Sequence, residues 1–174
     1  MTAAQRIPRA GLAAEHDALR VWLRLFTCST MIAQHVGSAL KREFGSSLPR
    51  FDLLAQLYRS PDGLRMGELS ERTLATGGNV TWLVRALEAE GLVRRKVADG
   101  DRRAAIVRLT PSGRRHFATM ARAHERWITA LFSSLSAAEQ RSLHALLGTV
   151  KQGRNGILTD SRGVSLEAKR KRKK

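Results

Sequence analysis

The sequence contains one cysteine, few aromatic residues and no apolar run of the ~20 residues that a membrane-spanning helix needs. A single cysteine, Cys28, excludes an intramolecular disulfide and is typical of a reducing cytosol. The first residues lack the apolar core of a signal peptide. Because hydrophobic residues make up 43% and aromatic residues 5% of the 174 positions, the composition favours a helical protein. These absences predict a cytoplasmic chain with no membrane partner.

Acidic residues are also scarce, since 15 Asp and Glu oppose 31 Lys and Arg and leave a formal net charge of +16. Such a charge attracts polyanions and steers association with nucleic acid. Part of the excess lies at the C-terminus, where residues 169–174 are all basic. The charge balance therefore indicates nucleic acid as a partner class, although a soluble basic protein with no such partner has the same composition.

Hydrophobic periodicity predicts a mainly helical chain with one β-hairpin. Apolar residues at three- and four-residue steps indicate a long first helix, and Pro49 opens a second helix at a position where its missing N–H costs nothing. The predicted elements are helices over residues 14–41, from 49, over 68–73, over 77–90, from 111 and from 137, a stub strand over 64–66, and two strands over 92–109. This order, two short helices followed by a hairpin, is that of a winged helix-turn-helix.

The helix over residues 77–90 has the pattern of a recognition helix. On a wheel at roughly 100° per residue, its apolar residues cluster on one side. The opposite side presents Gly78, Asn79, Thr81, Trp82 and Arg85, and Thr76 is a suitable N-cap. Asn, Thr and Arg side chains bond base edges or phosphates, and glycine allows close approach of the backbone. Trp82 either packs on a thymine methyl or deoxyribose, or packs against a neighbouring element.

The predicted hairpin carries basic residues along its whole length. Arg102 and Arg103 follow the turn, and the strands add Arg94, Arg95, Lys96 and Arg108. A narrow ribbon that carries arginines has the right shape to enter a minor groove, where the negative potential attracts guanidinium groups. The hairpin is therefore predicted to be a DNA-binding wing.

Several motifs between Leu48 and Gly113 resemble the DNA-binding core of the MarR family of bacterial regulators. The matching motifs are Gly67-Glu-Leu-Ser70, Asn79-Val-Thr81 with Leu83-Val84, Leu87-Glu-Ala-Glu-Gly-Leu-Val93, Asp101-Arg-Arg103-Ala and Val107-Arg-Leu-Thr-Pro-Ser-Gly113. The order of elements is similar over residues 14–151. Residues 48–52 (Leu-Pro-Arg-Phe-Asp) and 76–81 (Thr-Gly-Gly-Asn-Val-Thr) look like the branch that represses hydroxycinnamate and related aromatic-acid catabolism and responds to aryl-CoA thioesters.

The resemblance implies a homodimer that binds double-stranded DNA. The first helix and the last two helices would form the dimer interface, and Asp101 would brace Arg103, whose guanidinium enters the minor groove. Two recognition helices would then read half-sites about one turn of DNA (~34 Å) apart. The implied segments are an N-terminal dimerisation helix at 1–47, the winged lobe at 48–110, C-terminal dimerisation helices at 111–151 and a basic tail, predicted to be disordered, at 152–174.

The resemblance also implies a small-molecule effector between the dimerisation helices and the DNA-binding lobe. The candidate apolar lining residues are Trp22, Phe26, Met31, Phe51, Leu54 and Tyr58, and the candidate anion partners are Arg20, Arg24 and Arg50. Taken alone, each apolar residue among them is more often a plain core residue than a ligand contact. The expected function is a repressor that an aromatic acid or aryl-CoA thioester releases from a palindromic operator.

Other functions remain open from the residues alone. A nonspecific architectural DNA-binding protein would have the same basic wing and tail. Cys28 could act as a redox-sensing thiol, although its place in the apolar stripe predicts burial. Cys28, His35, His116 and His124 lack the spacing of a metal site, so no metal and no cofactor are predicted. The sequence contains no nucleophile–base pairing and no phosphate-binding glycine loop, so it predicts no enzyme.

Overall fold

The computed structural model describes residues 9–73, 77–98 and 101–170. Within these residues the helices and strands follow the predicted order. They are α1 (Arg9–Phe44), α2 (Leu48–Tyr58), β1 (Leu64–Arg65), α3 (Met66–Arg72), α4 (Gly77–Ala89), β2 (Val93–Ala98), β3 (Asp101–Leu109), α5 (Pro111–Leu131) and α6 (Ala137–Arg170). The mainly helical architecture with a small β-sheet is therefore confirmed.

The chain forms two compact units, Met1–Trp127 and Ile128–Lys174. The first unit contains the three strands and an apolar core to which α1, α2, α3, α4 and α5 all contribute. Its fully buried side chains are Val36, Leu40, Leu53, Leu54, Leu57, Leu69, Val80, Val84, Leu87, Val107 and Met120. The four segments predicted from the sequence have other boundaries, and they remain predictions.

Two glycines end helices in the left-handed conformation that side chains disfavour. Gly45 follows α1 with φ of 60°, and Ser46 N–H donates to the carbonyl of Leu40 at 3.2 Å. Gly91 follows α4 with φ of 69°, and Leu92 N–H donates to the carbonyl of Leu87 at 2.9 Å. These bonds satisfy carbonyls that the helix end leaves without a partner. The predicted stop at Gly91 is confirmed.

The three strands form an antiparallel sheet in the order β1-β3-β2. Leu64 lies opposite Val107, and Val107 lies opposite Arg95 on the other side. The register between β2 and β3 shifts between Lys96 and Ala98, which marks a bulge in the hairpin. The predicted hairpin is confirmed, whereas its predicted turn at residues 99 and 100 lies outside the described residues.

The base of the hairpin packs tightly against the first turn of α5. Thr110 donates its hydroxyl to the carbonyl of Gly91 at 2.7 Å, and its Oγ1 accepts the N–H of Gly113 at 2.9 Å. A Cβ atom on Gly113 would overlap the carbonyl oxygen of Leu92, so this position requires glycine. The wing and α5 are thus joined through one rigid corner.

The second unit contains α6, for which one sequence prediction is confirmed and another is wrong. The capping box predicted at its start is present, because Ser136 N–H donates to Glu139 Oε2 at 2.8 Å and Glu139 N–H donates to Ser136 Oγ at 3.3 Å. The disorder predicted from residue 152 is wrong as far as Arg170, where α6 ends. The sequence has no proline after Pro111 that would interrupt this helix. The like charges that oppose folding are concentrated at residues 169–174. No helix in the described part of the chain is long and apolar enough to cross a membrane.

Candidate nucleic-acid interface

The inner side of α4 anchors this helix in the core of the first unit. Val80, Val84 and Leu87 are fully buried, and Leu83 is nearly so. These residues recur at three- and four-residue steps, which places their side chains on one side of a helix. The predicted division of α4 into a core side and a free side is confirmed.

The outer side of α4 carries polar and aromatic residues that are exposed. Asn79, Thr81 and Arg85 are all exposed, and the Trp82 side chain is 62% exposed. An indole ring of this size in water loses the free energy that burial would provide. Trp82 is therefore not buried against a neighbouring element in the described part of the chain, and its predicted contact with DNA stays a prediction. The predicted N-cap, Thr76, lies outside the described residues.

Gly78 lies at the N-terminal end of α4, where the fold itself does not require glycine. A Cβ atom built there would meet no atom within 4 Å, and the residue is exposed. A glycine that packing does not require leaves the helix N-terminus open to close approach by another molecule. Backbone N–H groups at such a terminus suit a phosphate.

The helix before α4 is held by side-chain caps at both ends. Glu68 accepts the backbone N–H of Arg65 at 2.7 Å, and the hydroxyl of Thr73 donates to the carbonyl of Leu69 at 2.7 Å. Leu69 is fully buried, which fixes α3 against the core. The short helix therefore gives α4 a firm support on the side where the chain enters it.

Two carboxylates near the C-terminal end of α4 join it to neighbouring elements. Glu88 accepts the backbone N–H of Arg95 at 3.0 Å and its Nε–H at 3.1 Å, which links α4 to the wing. Glu90 forms an ion pair with Arg50 at the start of α2. These contacts were not predicted from the sequence. Together they fix the angle between the recognition helix, the wing and α2.

The basic residues of the wing strands do not act alike. All three residues Arg94–Lys96 are exposed, but only Arg95 among them pairs with a carboxylate of the described residues, that of Glu88 on α4. Arg108 donates its Nε–H to the carbonyl oxygen of Asp62 at 2.7 Å, so this side chain holds the turn before β1. The sequence pattern had predicted one basic ribbon that includes all of these residues. The two-residue alternation along a strand would have separated Arg94 from Arg95.

The residues that follow the wing turn begin β3. Asp101 lies opposite Ala98 in the register, and Arg102 and Arg103 are the next two residues of the strand. Their side chains lie outside the described part of the chain. The predicted contact between Asp101 and Arg103 therefore stays a prediction.

The predicted effector residues fall into two groups. Phe51 and Leu54 are buried in the first unit, where the Phe51 ring lies 5.3 Å from that of Phe117 and 4.7 Å from that of His124. Tyr58 is 38% exposed, and its ring lies 4.9 Å from that of Phe117 and beneath the guanidinium of Arg114. Burial lowers the pKa of His124 below its ordinary value of 6.5. Within the single chain, Phe51 and Leu54 are core residues.

The second group lies along the middle of α1, between residues 20 and 31. Trp22, Phe26 and Met31 are 56%, 59% and 63% exposed, and the rings of Trp22 and Phe26 stack at 5.9 Å. A shallow depression on the same helix is lined by Arg20, Leu23, Arg24, Thr27, Cys28 and Met31. The structure therefore brings Arg20, Arg24 and Met31 to one depression, whereas Trp22 and Phe26 stack on each other outside its lining.

Arg50 was predicted to bind an anionic group of the effector, but a carboxylate of the same chain already occupies it. Its guanidinium pairs with Glu90, and the side chain is only 19% exposed. Arg20 lies 3.9 Å from Asp17 but remains highly exposed. Since a carboxylate already neutralises the half-buried Arg50, the exposed arginines of α1 are the better candidates for an anionic group.

The predicted burial of Cys28 is wrong, because this residue is exposed. The apolar stripe of α1 reaches the core only near its C-terminal end, where Val36, Ala39 and Leu40 are buried. No group of three or more metal-ligating side chains occurs among the residues that the structure describes. His116 and His124 instead lie against the rings of Phe44 and Phe51.

Known proteins resemble this chain in both sequence and structure. A model of the MarR family matches residues 44–104. The HTH-type transcriptional regulator YdgJ of Bacillus subtilis is 30% identical over 113 residues, which cover 65% of this chain and 68% of that protein. A crystal structure of a MarR family transcriptional regulator from Silicibacter pomeroyi superposes with a TM-score of 0.68 at 31% identity, covering 80% of this chain and 96% of that one.

Two further structures were solved with bound molecules. Sco3205, a MarR family regulator from Streptomyces coelicolor in complex with DNA, superposes with a TM-score of 0.70 at 26% identity, covering 87% of this chain and 92% of that one. A MarR family protein of Mycobacterium tuberculosis in complex with salicylic acid superposes with a TM-score of 0.60 at 26% identity, covering 72% of this chain and 92% of that one.

Proposed function

The chain belongs to the MarR family of DNA-binding transcriptional regulators, and we propose that it is a homodimeric repressor that a small aromatic effector releases from a palindromic operator. One observation carries this proposal. The outer side of α4 exposes Asn79, Trp82 and Arg85 while the opposite side is fully buried. A helix fixed in this way presents a reading surface to the major groove. In this proposal, Thr76 caps that helix and Thr81 and Gly78 complete its DNA-facing side.

The wing supplies the second DNA contact in this proposal. Asp101 braces Arg103, and Arg102 and Arg103 approach the minor groove beside the half-site. The pairing of Glu88 with Arg95 supports this arrangement, because it ties the wing to the recognition helix at 3.1 Å. Two contacts held at a fixed separation discriminate a half-site better than either contact alone.

Exposed apolar surfaces on both units support dimerisation. The N-terminal half of α1 exposes Trp22 and Phe26 by more than half of their area, and in the second unit Leu146 and Val150 on α6 are 66% and 61% exposed. Soluble monomers rarely expose apolar side chains at such density, and a second copy of the chain would cover them. A two-fold axis would then set the spacing of the two recognition helices.

The proposed effector is an aromatic acid or an aryl-CoA thioester. Arg20, Arg24 and Met31 line one depression of α1, where the two guanidinium groups provide positive charge for a carboxylate or phosphate. The stacked rings of Trp22 and Phe26 provide an aromatic surface on another side of the same helix. In this proposal, a site would open beside the side chains of Phe51 and Leu54, and these two residues would form its floor. The salicylic acid bound to the relative from Mycobacterium tuberculosis supports an aromatic acid as the chemical class.

Fluorescence anisotropy with DNA from upstream of the protein's own gene tests this function. We expect tight and selective binding that p-coumaroyl-CoA or the free acid weakens, since an effector releases DNA only if it favours the dimer form that binds DNA poorly. Selective binding that neither compound changes would refute the effector class and retain the repressor. Equal binding to random DNA would refute the repressor.

Two alternative functions are each favoured by one observation. The charge of +16 favours the architectural alternative, in which binding does not depend on base sequence.

The exposure of Cys28 favours a thiol-based redox response, because an oxidant can reach the sulfur. If peroxide releases the wild type from DNA but not the Cys28→Ser variant, that difference would support the redox response. Identical behaviour of the two proteins would refute it.

A further inference from the structure

The small β-sheet has two faces of different chemistry. Residues directly opposite each other on neighbouring strands share a face. Arg94 lies opposite Arg108, and Ile106 lies between Lys96 on one side and Arg65 on the other. We call the face that carries these five residues the outer face. Four of the five are cationic, and they come from all three strands.

The inner face of the same sheet belongs to the core. Leu64, Val93 and Val107 are buried on it, and Val107 lies between Leu64 and Arg95. Arg95 is the cation of this face, and Glu88 neutralises it. Among the side chains that the structure describes in this sheet, Arg95 on the inner face is paired, whereas Arg94 on the outer face is not.

Within the described part of the sheet, the cations of the outer face have no carboxylate as a salt-bridge partner. Among the residues that the structure describes, Arg65, Arg94 and Lys96 form no ion pair, and all three are exposed. Glu68 accepts the backbone N–H of Arg65. Arg108 donates to a neutral acceptor, the carbonyl oxygen of Asp62. Like charges directly opposite one another destabilise a sheet, so the fold gains nothing from this arrangement.

We propose that the outer face binds the phosphate backbone of DNA, with Arg65, Arg94 and Lys96 as the contact residues. This inference rests on the proposed placement of the wing. A minor groove is about 6 Å wide, and neighbouring strands lie about 4.8 Å apart, so a three-stranded sheet cannot follow the wing tip into the groove. The cations of β1 and β2 then meet the sugar-phosphate chain at the groove edge.

Arg108 shares this face but serves the fold. A Cβ atom on Gly63 would overlap the Arg108 side chain, and Gly63 has φ of 81°. The close approach presses the aliphatic part of Arg108 against the turn before β1, while its Nε–H bonds the carbonyl of Asp62. Substitution of Arg108 would disturb that turn, so the test uses the other three cations.

The test is the dependence of the dissociation constant on salt concentration. Each phosphate contact contributes about 0.9 to the slope of log K against log salt concentration, or about 1.8 for a dimer with two copies. Arg65→Gln, Arg94→Gln and Lys96→Gln should each reduce the slope by that amount. The slopes are measured on the upstream duplex and on a random duplex of equal length, and the reduction should appear on both.

An exposed arginine outside the sheet provides the matched control. Arg115→Gln removes one positive charge from α5 and should keep the wild-type slope. Arg94→Gln should leave the thermal midpoint without DNA unchanged or higher, because it relieves a like-charge pair. Wild-type slopes in all three outer-face variants would overturn the proposal.

The two duplexes separate this inference from the proposed function. The ratio of their dissociation constants reports selective binding, whereas the slope reports phosphate contacts. Equal binding to both duplexes, with reduced slopes in the three variants, would refute the repressor and support the phosphate-binding face. Selective binding with unchanged slopes would support the repressor and refute this inference.

Discussion

The DNA-binding lobe and the N-terminal half of α1 are both rich in apolar residues, but only the lobe buries them within one chain. Leu53, Val84 and Leu87 are at most 1% exposed even though the lobe is small. Trp22 and Phe26 on α1 are 56% and 59% exposed. The lobe therefore has a complete core, whereas the N-terminal half of α1 has an apolar surface that needs a partner.

The largest effect should follow from damage to the lobe core. Leu87→Ala removes a fully buried side chain, and we expect it to lower the free energy of unfolding by about 2–5 kcal/mol. Trp82→Ala, on the opposite side of the same helix, should change it by about 0.5 kcal/mol or less. Urea unfolding measures both. Equal effects would contradict the difference between the two sides of α4.

The next effect should appear in assembly. Trp22→Glu places a charge in the apolar surface of α1, and we expect the dimer to weaken by about 2 kcal/mol, roughly thirtyfold in its dissociation constant. Sedimentation velocity over a range of concentrations measures this. Gln34→Glu adds the same charge at an exposed polar position of α1 and is the control. A Trp22→Glu protein that associates like the wild type would show that α1 has no partner.

The ion pairs of α4 should matter less for stability than for DNA binding. Glu88→Gln removes the carboxylate that accepts both N–H groups of Arg95, and we expect a loss of about 0.5 kcal/mol in unfolding, because both side chains are about one third exposed. Binding to the upstream duplex should weaken more, since the wing loses its fixed angle. If affinity falls no more than stability does, Glu88 has no positioning role.

The smallest effect should be a pH dependence of lobe stability. Burial lowers the pKa of His124 below its ordinary value of 6.5, so the unfolded chain binds a proton at a higher pH than the folded one. Stability contributed by neutral His124 is therefore complete above about pH 6.5 and decreases as the pH falls toward the folded-state pKa. His124→Gln should flatten this part of the profile. A wild-type profile in the variant would assign the dependence to other groups.

Several elements could be predicted because they depend on signals that are local in the sequence. The alternation of core and free positions along α4, the stop at Gly91 and the capping box at Ser136 each depend on residues close together in the sequence, and all are present. The partners of Arg50 and Arg95 could not be predicted in the same way. Arg50 and Glu90 are 40 residues apart, and only the packing of α2 against the end of α4 brings them together.

The exposure of Cys28 and the helix beyond residue 152 were missed for a different reason. The apolar stripe of α1 is real, but a stripe does not show whether the same chain or another molecule covers it. The charge at residues 169–174 led to a prediction of disorder for the whole segment from residue 152. Ile157, Leu158 and Val164 keep the segment before that charge compatible with a helix.

The most direct test of the account is the ratio of dissociation constants for the upstream duplex and a random duplex, measured for the wild type, Trp82→Ala and Arg85→Gln. The account predicts that the wild type prefers the upstream duplex and that both variants reduce this ratio, each by about tenfold or more per half-site. Binding to the random duplex should persist through the wing and the basic surface. Variants that retain the wild-type ratio would contradict the claim that α4 reads the operator.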